Sequence, residues 1–493
     1  MFIKLKNLIH IPTWVYLILF AVLIFRIPTF FEPYSYGDET IYLTLGNAVQ
    51  KGLTLYKDVH DNKPPLLYLT AAIAGNIFWF KAILAVVQLF GVIVFYKFIK
   101  LLFPRNQISQ KAALLVYAIL TTLPFFEGNI ANAELFMIVP TIIAFYILLF
   151  RKNSTANLIF AGVLFSIASL FKMPAVFDIP AIVIYWLSRD KLSRKHLFSV
   201  AKKTLILSAG VAGPIFLTFI WYALNGAFKE YLVAAYLQNF GYLSSWRPDD
   251  VKEPFLVKNA PLLTRAFVVA IINLILVIKR KKFSWPFLFT VSWLTFALFG
   301  VTLSERPYPH YLVETIVPLS ILFSMLFTYD SIEQVLVIFP LLLFSFIPFY
   351  FKFWNYHSAN YYGNFLALAS GKYDKNQYLE TFGGNTLTNY KIAAIINQVT
   401  SKDDSVFVWE DSGQIYALTK RLPPMKYVAG YHIKDFYSDE ALYRDLSAHP
   451  PKAIVVLKNS ELPKSVRKLI LTRYLMVEEI DGSQVWILMK VSL

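Results

Sequence analysis

The chain has 493 residues, of which 57% are hydrophobic and only 16% charged, with 44 Phe, 30 Tyr and 10 Trp. An ordinary soluble domain carries roughly 25% charged residues, and a chain this apolar cannot cover a soluble surface of its own; a cytosolic enzyme, a disordered hub and a coiled coil are excluded in favour of a polytopic membrane protein. The net charge of +16 points to nucleic acid or to membrane topology, and the absence of cysteine removes disulfides, thiolate metal sites and cysteine nucleophiles.

In chain order, membrane spans of about 20 apolar residues, shorter where packed or tilted, are predicted over 13–31, 81–101, 111–126, 134–150, 157–172, 174–188, 204–224, 260–279, 284–303, 309–328 and 332–352. The first has no small-residue cleavage site after it and reads as a retained span rather than a signal peptide. Lys4 and Lys6 put the N-terminus in the cytoplasm by the positive-inside rule. The alternate loops then hold Lys100, Arg105 and Lys111, Arg151 and Lys152, Arg189 to Lys203, and Lys279-Arg280-Lys281-Lys282. The turn near Tyr329-Asp330 lends no support. The opposite loops hold Asp38, Glu39, Asp58, Asp61, Glu127, Glu134, Asp178, Asp249, Asp250, Glu253 and Glu305. The basic excess therefore anchors inner loops to the bilayer, and no nucleic-acid partner is expected.

Eleven spans leave the C-terminus outside, so the chain divides into a transmembrane domain over 1–352 and an extracytoplasmic α/β domain over 353–493. Residues 401–493 carry 13 Lys/Arg and 12 Asp/Glu. Strands are predicted at 405–409, 453–457 and 484–489, helices at 439–446 and 463–474, and a turn at Asp481-Gly482.

The outer loop over 32–80 is the richest in candidate chemistry. Glu32-Pro-Tyr-Ser-Tyr-Gly-Asp38-Glu39 follows the first span, and His60-Asp61-Asn62-Lys63-Pro64-Pro65 closes the loop. Between them Tyr42, Leu45, Ala48, Val49 and Leu53 recur at helical spacing, predicting an amphipathic helix on the membrane surface. A carboxylate pair at the bilayer edge suits a general base; solvated loop acids are the bland alternative. Glu134 opens the fourth span, Lys172 ends the fifth, and Arg306, His310 and Tyr311 stand at the mouth of the tenth. Singly these read as a helix-dipole acid, a snorkelling lysine and a helix-capping histidine. Together they place acids, a histidine and cations on one face of the membrane, where ionisable groups tend to mark function, and cations beside a base suit a phosphate leaving group.

The order Gly37-Asp38-Glu39…Tyr42, Asp61-Asn62-Lys63-Pro64-Pro65…Tyr68, Asn132-Ala133-Glu134, Lys172 and Arg306…Tyr308…His310-Tyr311 resembles the dolichyl-phosphate-mannose-protein mannosyltransferase-like glycosyltransferases, a group that includes the bacterial aminoarabinose transferase of lipid A, over roughly residues 10–330. The resemblance implies an all-α polytopic GT-C membrane fold, no metal or other cofactor, a polyprenyl-phosphate-linked monosaccharide as donor and an envelope acceptor (lipid, glycan or protein) at the outer face of the cytoplasmic membrane. It implies Asp38 as general base in an inverting displacement, Glu39 as its support or an acceptor ligand, and Lys63 as the donor-phosphate ligand with Arg306, His310 and Tyr311 nearby. The resemblance also implies that Glu134 completes the acceptor or donor pocket and that Asp61 and Lys172 join the substrate-binding set. The family often has an acid or His directly before Lys-Pro-Pro; here Asn62 stands there, with Asp61 and His60 just before it. The alternatives are a transporter, for which internal repeats and mid-bilayer charges are expected, a lipid-linked glycan ligase or polymerase, for which an outer loop rich in Arg and His is expected, and a non-catalytic scaffold.

Overall fold

A computed structural model describes residues 11–241, 254–328, 331–410 and 413–489. Lys4, Lys6, Asp249, Asp250, Glu253 and the turn at 329–330 lie outside the described residues. Among the described residues, seven helices are long and apolar enough to cross a membrane: Thr13–Phe31, Ile77–Leu102, Ala133–Phe150, Arg194–Leu224, Ala260–Ile278, Trp285–Thr302 and Ile332–Tyr350. The chain is a multi-pass membrane protein. The other four of the eleven predicted spans are shorter. Two are the helices Gln107–Thr122 and Thr155–Phe171. The remaining two enter through 3-10 turns, Met173–Asp178 before Ile179–Arg189 and Pro309–Thr315 before Ile316–Met325. Pro174 and Pro309, at the start of each turn, lack the N–H that an α-helical ladder uses, and they stand where that N–H has no partner within the helix.

The chain forms two compact units. The first comprises residues 1–27, 82–221 and 236–358. Its centre is aromatic, with the rings of Phe145 and Trp293 4.5 Å apart and Phe289 5.0 Å from Phe145. Helices Thr155–Phe171 and Arg194–Leu224 touch backbone to backbone: a Cβ on Gly162 would run into the Leu207 carbonyl oxygen, and one on Gly210 into that of Ile159. Such small-residue contacts let membrane helices gain close packing that lipid does not oppose. Arg26, fully buried at the end of the first helix, donates to the carbonyls of Thr121 (3.1 Å) and Gly128 and ties down the segment that carries Glu127.

The second unit comprises residues 28–81, 222–235 and 359–493, so the predicted tail domain over 353–493 shares a unit with the first outer loop. Its four-stranded sheet contains β1 (Val406–Trp409), β2 (Ala453–Val456), β3 (Tyr474–Ile480) and β4 (Ser483–Leu488) in the order β1-β2-β4-β3. Strands β1 and β2 are parallel, with helices Gly413–Thr419, Gly430–Phe436 and Asp439–Ala448 between them, because parallel strands need a crossover. Strands β3 and β4 form a hairpin through Asp481 (φ 52°) and Gly482 (φ 83°), the pair of positive φ angles that a two-residue type I′ turn requires. Strand β3 lies at the sheet edge, and most of its residues are exposed, so it carries no buried pattern to announce it. Phe407, Ile454, Leu446, Leu469 and Ile470 form the core beneath the sheet.

The helix predicted between the two outer-loop motifs is Gly37–Gln50. Protein, rather than a membrane surface, covers its apolar face. Gly46 lies so close to helix Leu66–Ala74 that a Cβ would stand 2.6 Å from the Ala72 nitrogen, and on another side Asn47 donates to the Lys420 carbonyl (3.1 Å), just past helix Gly413–Thr419.

Candidate active site

In the second unit, Asp38 and Glu39 fall in the first turn of helix Gly37–Gln50, where the positive end of the helix dipole favours carboxylates. Successive helical residues point roughly 100° apart, so the two acids have different partners. The Asp38 carboxylate, about a third exposed, accepts from the Tyr42 hydroxyl (2.8 Å) one turn on and from the Lys63 ammonium (3.3 Å). That ammonium also stands 4.8 Å above the Tyr42 ring. Glu39 is buried, and its partner is Lys81 (2.7 Å), which also holds Glu32 at 2.7 Å. Tyr361 donates a further hydrogen bond to Glu32; burial, and then the Glu32 charge, push its phenol well above the ordinary value. The solvated-acid alternative therefore fails for Glu32, Glu39 and Asp61, all buried. Lys81 has no motif, and a single cation at the head of an apolar run is its one signal in the sequence.

Lys63 owes its placement to the prolines after it. Pro64 and Pro65 are buried and lead straight into helix Leu66–Ala74, and a residue before proline is held out of the helical region. The Lys63 N–H donates to the Tyr68 hydroxyl (3.1 Å), and its carbonyl accepts from the Tyr56 hydroxyl (2.8 Å). Asp61, 2% exposed, accepts from the Asn62 N–H (2.8 Å) and from the Tyr68 hydroxyl. Burial first, and the Asp61 charge second, push the Tyr68 phenol well above its ordinary value.

The first unit has a polar cluster of its own. Glu134 opens helix Ala133–Phe150 and pairs with Lys172, which ends helix Thr155–Phe171 and sits 3.7 Å over the Tyr311 ring. His310 stands between two buried carboxylates, with Nδ1 2.5 Å from Glu127 and Nε2 3.7 Å from Glu134. Tyr308 stacks on His310 at 5.6 Å. Arg306 is half-buried in the segment before that turn, next to Glu305, which pairs with Arg265 (2.9 Å). Two further acids are buried in this unit. Asp178, read from the sequence as an outer-loop acid, accepts from the Trp293 indole N–H (2.8 Å), and Glu314 lies against Gly300. Glu314 had a signal in sequence, as a lone acid in the apolar run 309–328. The predicted site residues thus gather in two groups: Asp38, Lys63 and Asp61, with Glu39 on Lys81, in one unit, and Glu134, Lys172, His310 and Tyr311, with Arg306 shortly before them in the chain, in the other. Among the described residues, no group of histidines and acids is arranged to hold a metal ion.

Residues 62–222 match the family model described as dolichyl-phosphate-mannose-protein mannosyltransferase. The chain resembles that family. The matched stretch is narrower than the resemblance read from the sequence; it begins at Asn62-Lys63-Pro64-Pro65 and takes in Glu134 and Lys172, while Asp38, Glu39, Arg306, His310 and Tyr311 lie outside it. ArnT from Cupriavidus metallidurans has a similar fold. Its crystal structure bound to undecaprenyl phosphate aligns with a TM-score of 0.57 at 13% identity, covering 97% of this chain and 98% of that one, and its apo structure aligns at 0.56 and 14%, covering 96% and 97%. Residues 388–490 match a second family model, the competence-induced protein Ccs4 C-terminal domain. No curated protein matches the sequence.

Proposed function

We propose that the chain is a membrane glycosyltransferase that moves a monosaccharide from a polyprenyl-phosphate donor to an envelope acceptor at the outer face of the cytoplasmic membrane. The observation that carries this reading is the Asp38–Lys63 pair: of the two acids in the Asp-Glu motif, Asp38 is the more exposed, and it stands 3.3 Å from a part-exposed ammonium. A base must reach the acceptor hydroxyl, and a cation beside it can receive the charge that the leaving phosphate gains. Asp38 takes the hydroxyl proton as the acceptor oxygen bonds to the anomeric carbon from the side opposite the phosphate. The bond from that carbon to the phosphate oxygen breaks, its electron pair stays on the phosphate, and Lys63 holds the resulting polyprenyl phosphate. The sugar is inverted, and neither metal nor redox partner takes part. ArnT's crystal structure with undecaprenyl phosphate supports a lipid phosphate as the leaving group.

Glu39 acts in this scheme as support: its contact with Lys81 fixes the start of the helix on which Asp38 stands. Glu134, Lys172, Arg306, His310 and Tyr311 are proposed to bind substrate as well. The segregation of basic and acidic loops in the sequence supports the N-terminus inside and the acids outside. The test is Asp38→Asn, assayed for sugar transfer from polyprenyl-phosphate donors in proteoliposomes. Loss of the base lowers the transfer rate by about 10²–10⁴, and undiminished transfer overturns the assignment.

A further inference from the structure

Helix Gly430–Phe436 belongs to the C-terminal sheet domain, yet one of its side chains turns away from that domain's core. Ile433 packs into the hydrophobic cluster under the sheet. His432, 2% exposed, aims instead at the first outer loop, with Nε2 4.0 Å from Asp61 Oδ1 and its ring 5.1 Å from that of His60. The backbone follows the same route: the His60 N–H donates to the Lys426 carbonyl (2.8 Å), and His60 bridges to Tyr427. Asp61 is as deeply buried as His432, and a buried carboxylate is held in place only when charge and hydrogen bonds compensate it. Within the loop that compensation comes from the Asn62 N–H and the Tyr68 hydroxyl, and the same hydroxyl accepts from the Lys63 N–H. A continuous series of polar contacts therefore runs from the tail domain to the backbone of Lys63: His432, Asp61, Tyr68, Lys63.

We propose that His432 is a positioning residue: the C-terminal domain uses it to fix Asp61, and through Asp61 and Tyr68 the Lys63 ammonium beside Asp38. The inference deepens the reading of Lys63 as the donor-phosphate ligand and rests on it. It gives the tail domain a part in the site, at a residue some 370 positions away in sequence from the one it steadies.

The test is the acetylation rate of individual lysines in the full chain in detergent, read by mass spectrometry, for wild type, His432→Leu and His432→Gln. Gln places a side-chain amide near the position of Nε2. Lys434, on the same helix as His432 and paired with Glu410 just after β1 (2.9 Å), reports whether the domain itself stays folded. The expected result is Lys63 acetylated about tenfold faster in the Leu variant, as the local structure around it opens more often. In the Gln variant the rate stays near that of wild type, and Lys434 is unchanged in both. Unchanged Lys63 labelling in the Leu variant, with Lys434 also unchanged, overturns the proposal. If the Leu variant accelerates Lys434 too, the two rates decide together: Lys63 accelerated more than Lys434 supports positioning, and Lys63 accelerated no more than Lys434 overturns it. Undecaprenyl phosphate, added to the wild type, separates the two readings. If it fails to slow Lys63 labelling while the dependence on His432 holds, the donor reading falls and the positioning stands. If it slows labelling while the dependence on His432 is absent, the positioning alone falls.

Discussion

Removing the Lys81 ammonium is a severe perturbation of the second unit. Lys81 is fully buried and meets two carboxylates, Glu32 and Glu39, at 2.7 Å each, so the triad carries a net charge of −1. Lys81→Met takes away the one cation and leaves two buried carboxylates facing the same hole. Breaking a buried pair costs about 3–5 kcal/mol because the surviving charge is stranded, and with two stranded charges the upper end applies. Glu39→Gln is the internal comparison. It leaves the Lys81–Glu32 pair at net zero and gives up a single charge-assisted hydrogen bond, about 1.5–3 kcal/mol. Reversible unfolding of the full chain in mixed detergent micelles, titrated with SDS, measures both. The lysine variant is expected to lose more stability than the glutamine variant. A Lys81→Met protein within about 0.5 kcal/mol of wild type, the range of ordinary surface changes, would refute the reasoning. So would one less destabilised than Glu39→Gln.

Three other substitutions follow from the same structure. Gly46→Val drives a side chain into the backbone of Ala71 and Ala72, 2.7 and 2.6 Å from the first added carbon. It is expected to cost about 1–3 kcal/mol as overpacking, whereas Gly363→Ala, with nothing within 4 Å of the new Cβ, leaves stability unchanged or slightly raised in the same titration. Tyr42→Phe removes the hydroxyl that donates to Asp38 at 2.8 Å while keeping the ring under Lys63. A single hydrogen bond to a charged group is worth about 1.5–3 kcal/mol, so transfer is expected to fall by about tenfold or more. An unchanged rate constant would show that the hydroxyl does not orient the carboxylate.

What the sequence made legible was local. The apolar runs mark the spans because lipid demands continuous hydrophobicity. Asp481-Gly482 marks a hairpin because both positions require φ angles that these residue types tolerate. Strand β3 escaped, since an exposed edge strand buries no alternating face. The neighbours Asp38 and Glu39 read as one acidic pair, yet helical geometry turns them toward Lys63 and Lys81 respectively. Only the packing reveals that one carboxylate is left accessible and the other sealed. Glu127 beside His310 and Asp61 beside His432 join residues 183 and 371 positions apart, and neither residue type nor spacing encodes a meeting at that range.

The second unit is stitched from residues 28–81, 222–235 and 359–493, which sets an order on biogenesis. At a synthesis speed of about 5–20 residues per second, the ribosome reaches His432 about 20–70 s after it has made Lys81. During that interval the acid-bearing segment has left the ribosome without the part that will close over it, and needs shelter from wrong partners. Bracing of the loop that carries Asp38 and Lys63 is thereby deferred until His432 has been translated, and a product cut short before it is left with its acids installed but not braced.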